Sequence, residues 1–146
     1  MKSMYQPCQY LPPTYSGDHL ELLFYCISFT FYAGLSPLDR FLKGILLHDL
    51  MSPGGGDPGW SLDLILDRKL ADFPDEWDAC VKRSAQPEAG CYEAWANSEF
   101  SEILPETVYY TVEEVRHYIR VALSNIAQQK PESAEEALAT IARFGL

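Results

Sequence analysis

Along most of this chain apolar residues recur three and four positions apart, the spacing that lines one face of an α-helix. In the C-terminal third Val112, Val115, Tyr118, Ile119, Ala122, Leu123, Ile126 and Ala127 follow it without a miss. Thr111 with Glu114 predicts a capping box ahead of them, in which hydroxyl and carboxylate each satisfy a backbone N–H of the first turn. Ser133 with Glu136 predicts a second box, opening a last helix through Ala137, Leu138, Ile141 and Ala142 that Gly145 closes. Helices are therefore expected over 111–129 and 133–144.

Earlier segments carry mixed signals. Ser36 and Pro37 read as N-cap and first helical residue, with Leu38, Phe41, Leu42, Ile45, Leu46 and Leu50 as the apolar stripe, predicting a helix over 36–51. Between 20 and 32, Leu20, Leu23, Phe24, Ile27 and Phe31 keep helical spacing behind Asp18, whereas Leu23, Tyr25, Ile27, Phe29 and Phe31 alternate as in a strand. A buried helix is favoured there. Ser61 caps a further predicted helix through Leu62, Ile65, Leu66, Leu70 and Phe73, although "SLDLILD" also alternates. Pro74 opens another, with Asp75, Glu76 and Asp78 near its start and Trp77, Cys80 and Val81 on the other side. "AQPEAG" reads as a turn, 91–104 as a weaker helical pattern holding Tyr92 and Trp95, and "ETVYYT" as extended. Residues 1–17, rich in Pro and Tyr, read as irregular.

The expectation is a mainly α fold: one domain over 1–146, a bundle of five to six helices, with short strands allowed near 20–32, 62–67 and 107–110. A chain of 146 residues supports one hydrophobic core without metal or disulfide.

The stretch "LMSPGGGDPGW" interrupts this rhythm. A phosphate loop needs a lysine and a hydroxyl after its glycines, and a dinucleotide fingerprint needs a preceding strand. "GGGDPGW" has neither, and Asp57 stands where an anion would sit. It reads as a surface loop that swings the chain between helices.

Charge changes the picture more. The net charge is −10 and the pI near 4.6, a field that repels nucleic acid and anionic membrane and speeds encounter with basic partners. Residues 54–105 hold eleven of the 21 acids against only Arg68, Lys69, Lys82 and Arg83. Basic residues are scattered and form no phosphate-tracking face. The four cysteines, Cys8, Cys26, Cys80 and Cys91, show no C-x-x-C spacing, so zinc and thioredoxin readings fail, and Cys26 and Cys80 read as small core residues. The N-terminus lacks a signal-peptide core, and "LELLFYCISFTFYAGL" is too short and too polar for a membrane span. A reduced, cytoplasmic protein is expected.

Catalytic chemistry has little to stand on. His48-Asp49 resembles the metal-binding dyad of phosphohydrolases, which requires more ligands than His19 and His117 can supply. His117, with Glu113 and Glu114 at helical spacing, suggests a surface ion pair. No nucleophile elbow or H-E-x-x-H is present. The expectation is no enzyme, no metal and no cofactor. What remains is acid interleaved with aromatics. Asp67, Asp72, Asp75, Glu76, Trp77 and Asp78 form the candidate partner-binding face, with Trp60, Asp63 and Phe73 nearby; aromatic anchors supply affinity and charge sets on-rate.

The C-terminal "YYTVEEVRHYIRVALSNIAQQKPESAEEALATIARFGL", about a quarter of the chain, resembles the tail of small immunity proteins from bacterial polymorphic-toxin and contact-dependent growth inhibition systems. Those tails share the tyrosine-rich lead-in, amphipathic helix, proline break and short final helix. The resemblance implies a small cytoplasmic protein that binds and blocks one cognate toxin domain, many such toxins being basic nucleases. A helical adaptor using the apolar 20–50 region, and a metal-dependent hydrolase using His48-Asp49, are the alternatives.

Overall fold

A computed structural model describes residues 4–5, 8–49 and 51–146. In chain order the elements are β1 (Met4–Tyr5), β2 (Thr14–Tyr15), α1 (Glu21–Thr30), α2 (Leu42–Leu47), β3 (Gly55–Gly56), β4 (Trp60–Ile65), α3 (Pro74–Arg83), β5 (Cys91–Ala96), α4 (Ser98–Ser101), β6 (Thr107–Thr111), α5 (Val112–Gln129) and α6 (Ala134–Phe144). Short 3-10 turns join several of them. The larger sheet is antiparallel in the order β3-β4-β5-β6. The expected mainly α bundle is therefore corrected: this is a mixed α/β fold in which helices cover a four-stranded sheet.

The middle strand explains the correction. β5 bonds to β4 on one side (Trp60 opposite Ala96, Ile65 opposite Cys91) and to β6 on the other (Cys91 opposite Thr111). Its alternate residues Tyr92, Ala94 and Ala96 join the main core, while Cys91 joins a smaller cluster with Ala71, Cys80 and Tyr109. A strand covered on both faces loses the polar half of its alternation, so the period-two signal disappears. That is why 91–104 reads as helical and yet forms a strand followed by the single turn of α4. β4 keeps its alternation, with Trp60, Leu62 and Leu64 toward the main core and Ser61 and exposed Asp63 on the other face, so here the strand reading of "SLDLILD" wins over the favoured helix through Phe73.

On the main-core face lies α1, apolar all round, as a helix buried on every side should be. All seven residues from Glu21 to Ile27 are buried, and Cys26 Sγ lies 3.7 Å from the carbonyl oxygens of Ser61 and Trp95. Helix wins over the competing alternation in 20–32. α5 begins as predicted, with both bonds of the Thr111–Glu114 capping box present. α6 ends at Gly145, whose φ of 66° is left-handed. On the opposite face α3 covers the sheet through Trp77, Cys80 and Val81, joined by Ala71 from the turn before it.

Three further expectations change. The helix over 36–51 shrinks to α2, and its Leu50 lies outside the described residues. Ser36 caps nothing: the N–H of buried Leu38 instead donates to Glu136 on α6 at 2.8 Å. That bond takes Glu136 away from the second predicted capping box, and Ser133 makes no capping bond. The 1–17 segment is not wholly irregular. β1 pairs with β2, and Cys8, Tyr10 and Leu11 are buried, with Asn125 Nδ2 donating to the Tyr10 carbonyl at 2.8 Å.

The glycine run is no hinge between helices. Gly55 and Gly56 form the edge strand of a hairpin, opposite Ser61 and Trp60. A Cβ on Gly55 would lie 2.2 Å from the Trp60 carbonyl oxygen, so the strands approach closely only because no side chain stands there. At Gly56 a Cβ meets nothing nearer than Trp60 Nε1 at 4.0 Å. Denaturant unfolding should separate the two: Gly55→Ala is expected to cost about 2 kcal/mol, and Gly56→Ala less than about 0.5 kcal/mol. Equal costs would show that strand propensity, not close approach, sets the requirement.

Candidate functional site

The acid-rich segment follows β4, runs through a 3-10 turn at Arg68–Leu70 and continues into α3. Asp67 caps that turn, accepting from the Lys69 N–H at 3.0 Å. Arg68 then reaches across to α3: its Nε donates to Asp78 at 2.9 Å and its Nη2 to Asp75 at 3.2 Å. This fork draws Asp75 and Asp78 together and leaves the fully exposed Asp75 only partly neutralised. Exposed pairs of this kind add little stability, so the fork's main effect is to hold the turn against α3.

The start of α3 is held from below. Tyr109 on β6 donates to Glu93 Oε2 on β5 and accepts from the Phe73 N–H at 3.0 Å, and the Asp72 N–H donates to the same Glu93 oxygen at 3.1 Å. Burial raises the Glu93 carboxyl above its ordinary range; the bond from Tyr109 opposes this and the nearby Asp72 carboxylate adds to it. Burial, and then the bond to Glu93, push the Tyr109 phenol well up, so it remains a donor.

Of the six predicted residues, Asp67, Asp72, Asp75 and Glu76 are exposed and Asp78 is half-buried. Trp77 is different. Its ring packs on the small core and its indole N–H donates to the Ile65 carbonyl at 3.1 Å, so it holds α3 to β4. Trp60 is buried in the main core against Phe41, at 5.1 Å between ring centres. In this segment the apolar side chains that reach solvent are Leu66 (64% exposed), Leu70 (69%) and Phe73 (49%), whose spacing predicts a buried helical stripe. They interleave with Asp67, Asp72, Asp75 and Glu76, giving a mixed apolar and acidic face. Their helical spacing misleads, because between β4 and α3 the chain forms only the 3-10 turn at Arg68–Leu70 and no continuous helix.

At the far end of α3, Arg83 forms a second knot. Its Nη1 donates to Glu114 at 2.7 Å and its Nη2 to the Tyr109 carbonyl at 2.8 Å, with His19 Nε2 3.2 Å away. Burial opposes ionisation of Glu114, but the bonds from His19 and Thr111 and the charge of Arg83 outweigh it and hold the carboxyl at about 2. Glu113 turns to Ser84 and to the Ala85 N–H (2.6 Å), so neither carboxylate makes the pair expected with His117, which rests edge-on against Tyr118. Beneath this knot Cys80 and Cys91 are buried in contact. The hydrogen bond between them raises the Cys80 thiol, as does burial, and lowers that of Cys91.

His48 sits exposed in a left-handed conformation, and the Asp49 carboxylate is spent on its own turn, accepting from the Met51 N–H at 2.9 Å and Ser52 Oγ at 3.1 Å. Among the described residues no three His, Cys, Asp or Glu side chains converge as metal ligands, and no helix is long and apolar enough to cross a membrane. No known protein family, curated protein or solved structure matches the chain.

A carboxyl held below its unfolded value stabilises the fold above the ordinary range and loses that contribution as pH falls. For Glu114 the window runs from about 4.5 down to about 2. Glu114→Gln keeps an acceptor for the capping box and removes the charge facing Arg83. The variant should be less stable than the parent by about 2 kcal/mol at neutral pH, the difference closing between pH 5 and 2, as read from urea titrations. A difference independent of pH would assign the effect to packing.

Proposed function

We propose that this chain is an immunity-type protein: it binds a basic toxin domain, a nuclease by preference, and covers the active site or substrate cleft with the face that runs from Leu66 to Asp78. The observation that carries the reading is the exposure of Leu66, Leu70 and Phe73 among Asp67, Asp72, Asp75 and Glu76. Isolated exposed leucines are ordinary, but three large exposed apolar side chains within eight residues, set in the most acidic third of the chain, are the kind of anchors interfaces use. A nuclease cleft is built to hold phosphates, so carboxylates complement it. Charge then steers the encounter, and desolvation of Leu70 and Phe73 slows dissociation. The C-terminal resemblance to immunity proteins and the net charge of −10 support the same reading. It implies action in the cytoplasm, without cofactor, metal or turnover.

The adaptor alternative is weaker, because the chain uses the apolar residues of α1 for its own core. The hydrolase alternative lacks convergent ligands around His48 and Asp49 among the described residues.

Co-expression with its cognate toxin domain should restore growth to cells that the toxin arrests. Reversing Asp72, Asp75 and Glu76 to lysine is expected to lower the association rate about tenfold at low salt, and reversing Glu99, Glu132 and Glu135 about twofold. The difference should shrink as salt rises and the Debye length falls to about 8 Å. Phe73→Ala should act on dissociation instead, by about tenfold, and Trp77→Ala should lower stability. Equal slowing by the two triple reversals, or a partner without a basic surface, would end the proposal.

A further inference from the structure

Glu21 is the sole charge in the apolar run of α1, and it is only 6% exposed. Its Oε1 accepts from the Gly17 N–H at 3.2 Å, and no ion pair joins it to a cation among the described residues. A buried carboxylate without a counter-charge is costly, and a fold retains one where it meets a ligand or sets a structural register. The register role is already filled, because α1 is positioned by Tyr110, whose hydroxyl accepts from the Leu23 N–H and donates to the His19 carbonyl.

Glu21 lines a cavity of about 360 Å³ between the start of α1, α3 and residues 103–109. That volume falls at the low end of small-ligand sites. Asp18 and Glu76 stand on the same walls, and Leu22, Ile103 and Val108 supply apolar surface. Arg83 also borders the space, but its guanidinium is committed to Glu114, the Tyr109 carbonyl and His19. The three acids do not converge as metal ligands. Carboxylates spread around an apolar slot instead suit a weakly hydrated, planar cation on an aliphatic stem, which is the chemistry of arginine.

We infer that this cavity receives an arginine side chain of the partner, with Glu21 as the buried carboxylate that pairs its guanidinium and Glu76 closing the rim. The inference rests on the partner-binding reading, since Glu76 belongs to both the cavity and the proposed face. It adds the anchor that fixes where the partner sits: one desolvated, bidentate ion pair at the edge of a steering surface.

The test titrates the full chain with Nα-acetylarginine methylamide, following backbone amide resonances by heteronuclear NMR. The isosteric, neutral citrulline derivative is the control. Arginine should give saturable shifts confined to residues near 17–22, 76–83 and 103–109, with millimolar affinity, and citrulline none. Glu21→Gln should weaken binding about tenfold, Glu76→Gln about threefold, and Glu135→Gln on exposed α6 not at all. Should Glu21→Gln fail to fold, Glu76→Gln decides. No saturable shift up to about 50 mM would overturn the inference. So would equal binding of citrulline, shifts centred elsewhere, or unchanged affinity in the folded glutamate variants. Salt-sensitive toxin binding with a blank arginine titration would remove the cavity and leave the acidic face. Arginine binding with no toxin partner would do the reverse.

Discussion

Strand β5 is hydrogen-bonded along both edges and covered on both faces, and every other placement follows from it. On one face Tyr92 is followed by the small Ala94 and Ala96, and these let α1 come close enough for Cys26 to reach the carbonyls of Ser61 and Trp95. Tyr92 also donates from its hydroxyl to the Ile45 carbonyl at 2.8 Å, which ties α2 to the same strand. On the other face Cys91 meets Cys80, and that contact sets the height at which α3 crosses the sheet. The interior tolerates no gap at such a crossing, so the position of α3 is decided by two sulfur atoms and the Trp77 ring.

Because α3 is seated this way, polar bonds rather than apolar burial fix its two ends. The front is held by Tyr109 and Glu93 below and by Arg68 at the side; the back is held by Arg83 on Glu114. The apolar residues between β4 and α3 are then left outside. Leu66, Leu70 and Phe73 cannot turn inward, since Ile65, Ala71, Trp77 and Cys80 already fill the small core. The exposed apolar patch is thus a consequence of how the helix is anchored, and its acidic setting is a consequence of composition. The cavity beside Glu21 lies at the β6 edge of the sheet, between the start of α1 on one face and the flank of α3 on the other.

How much of this could be read beforehand depends on whether an element has a solvent face. α5 and α6 lie at the surface, so polar and apolar positions alternate with a clear helical period, and Thr111 with Glu114 marks the start of α5 within one residue. The Ser133–Glu136 pattern shows the limit of that logic, since a carboxylate that fits a local cap also fits the distant N–H of Leu38. β5 offered no solvent face and hence no alternation. Around the site, composition marks the acid-rich segment, but it does not tell Trp77, whose indole bonds to the Ile65 carbonyl, from Phe73, which reaches solvent. The knot of Arg83, Glu114 and His19 joins residues 64 and 31 positions apart, and no spacing rule connects them.

Local chemistry therefore settled the cap that opens α5, the closing glycine of α6 and the excess of carboxylates over 54–105. Those properties depend on neighbours a few bonds away, so the order of residues suffices. Which apolar side chains face inward, which carboxylates find a cation and which stay bare were decided when β5 was enclosed. Burial and ion pairing depend on groups far apart in the chain, and only the assembled sheet with α1 and α3 on its two faces brings those groups together.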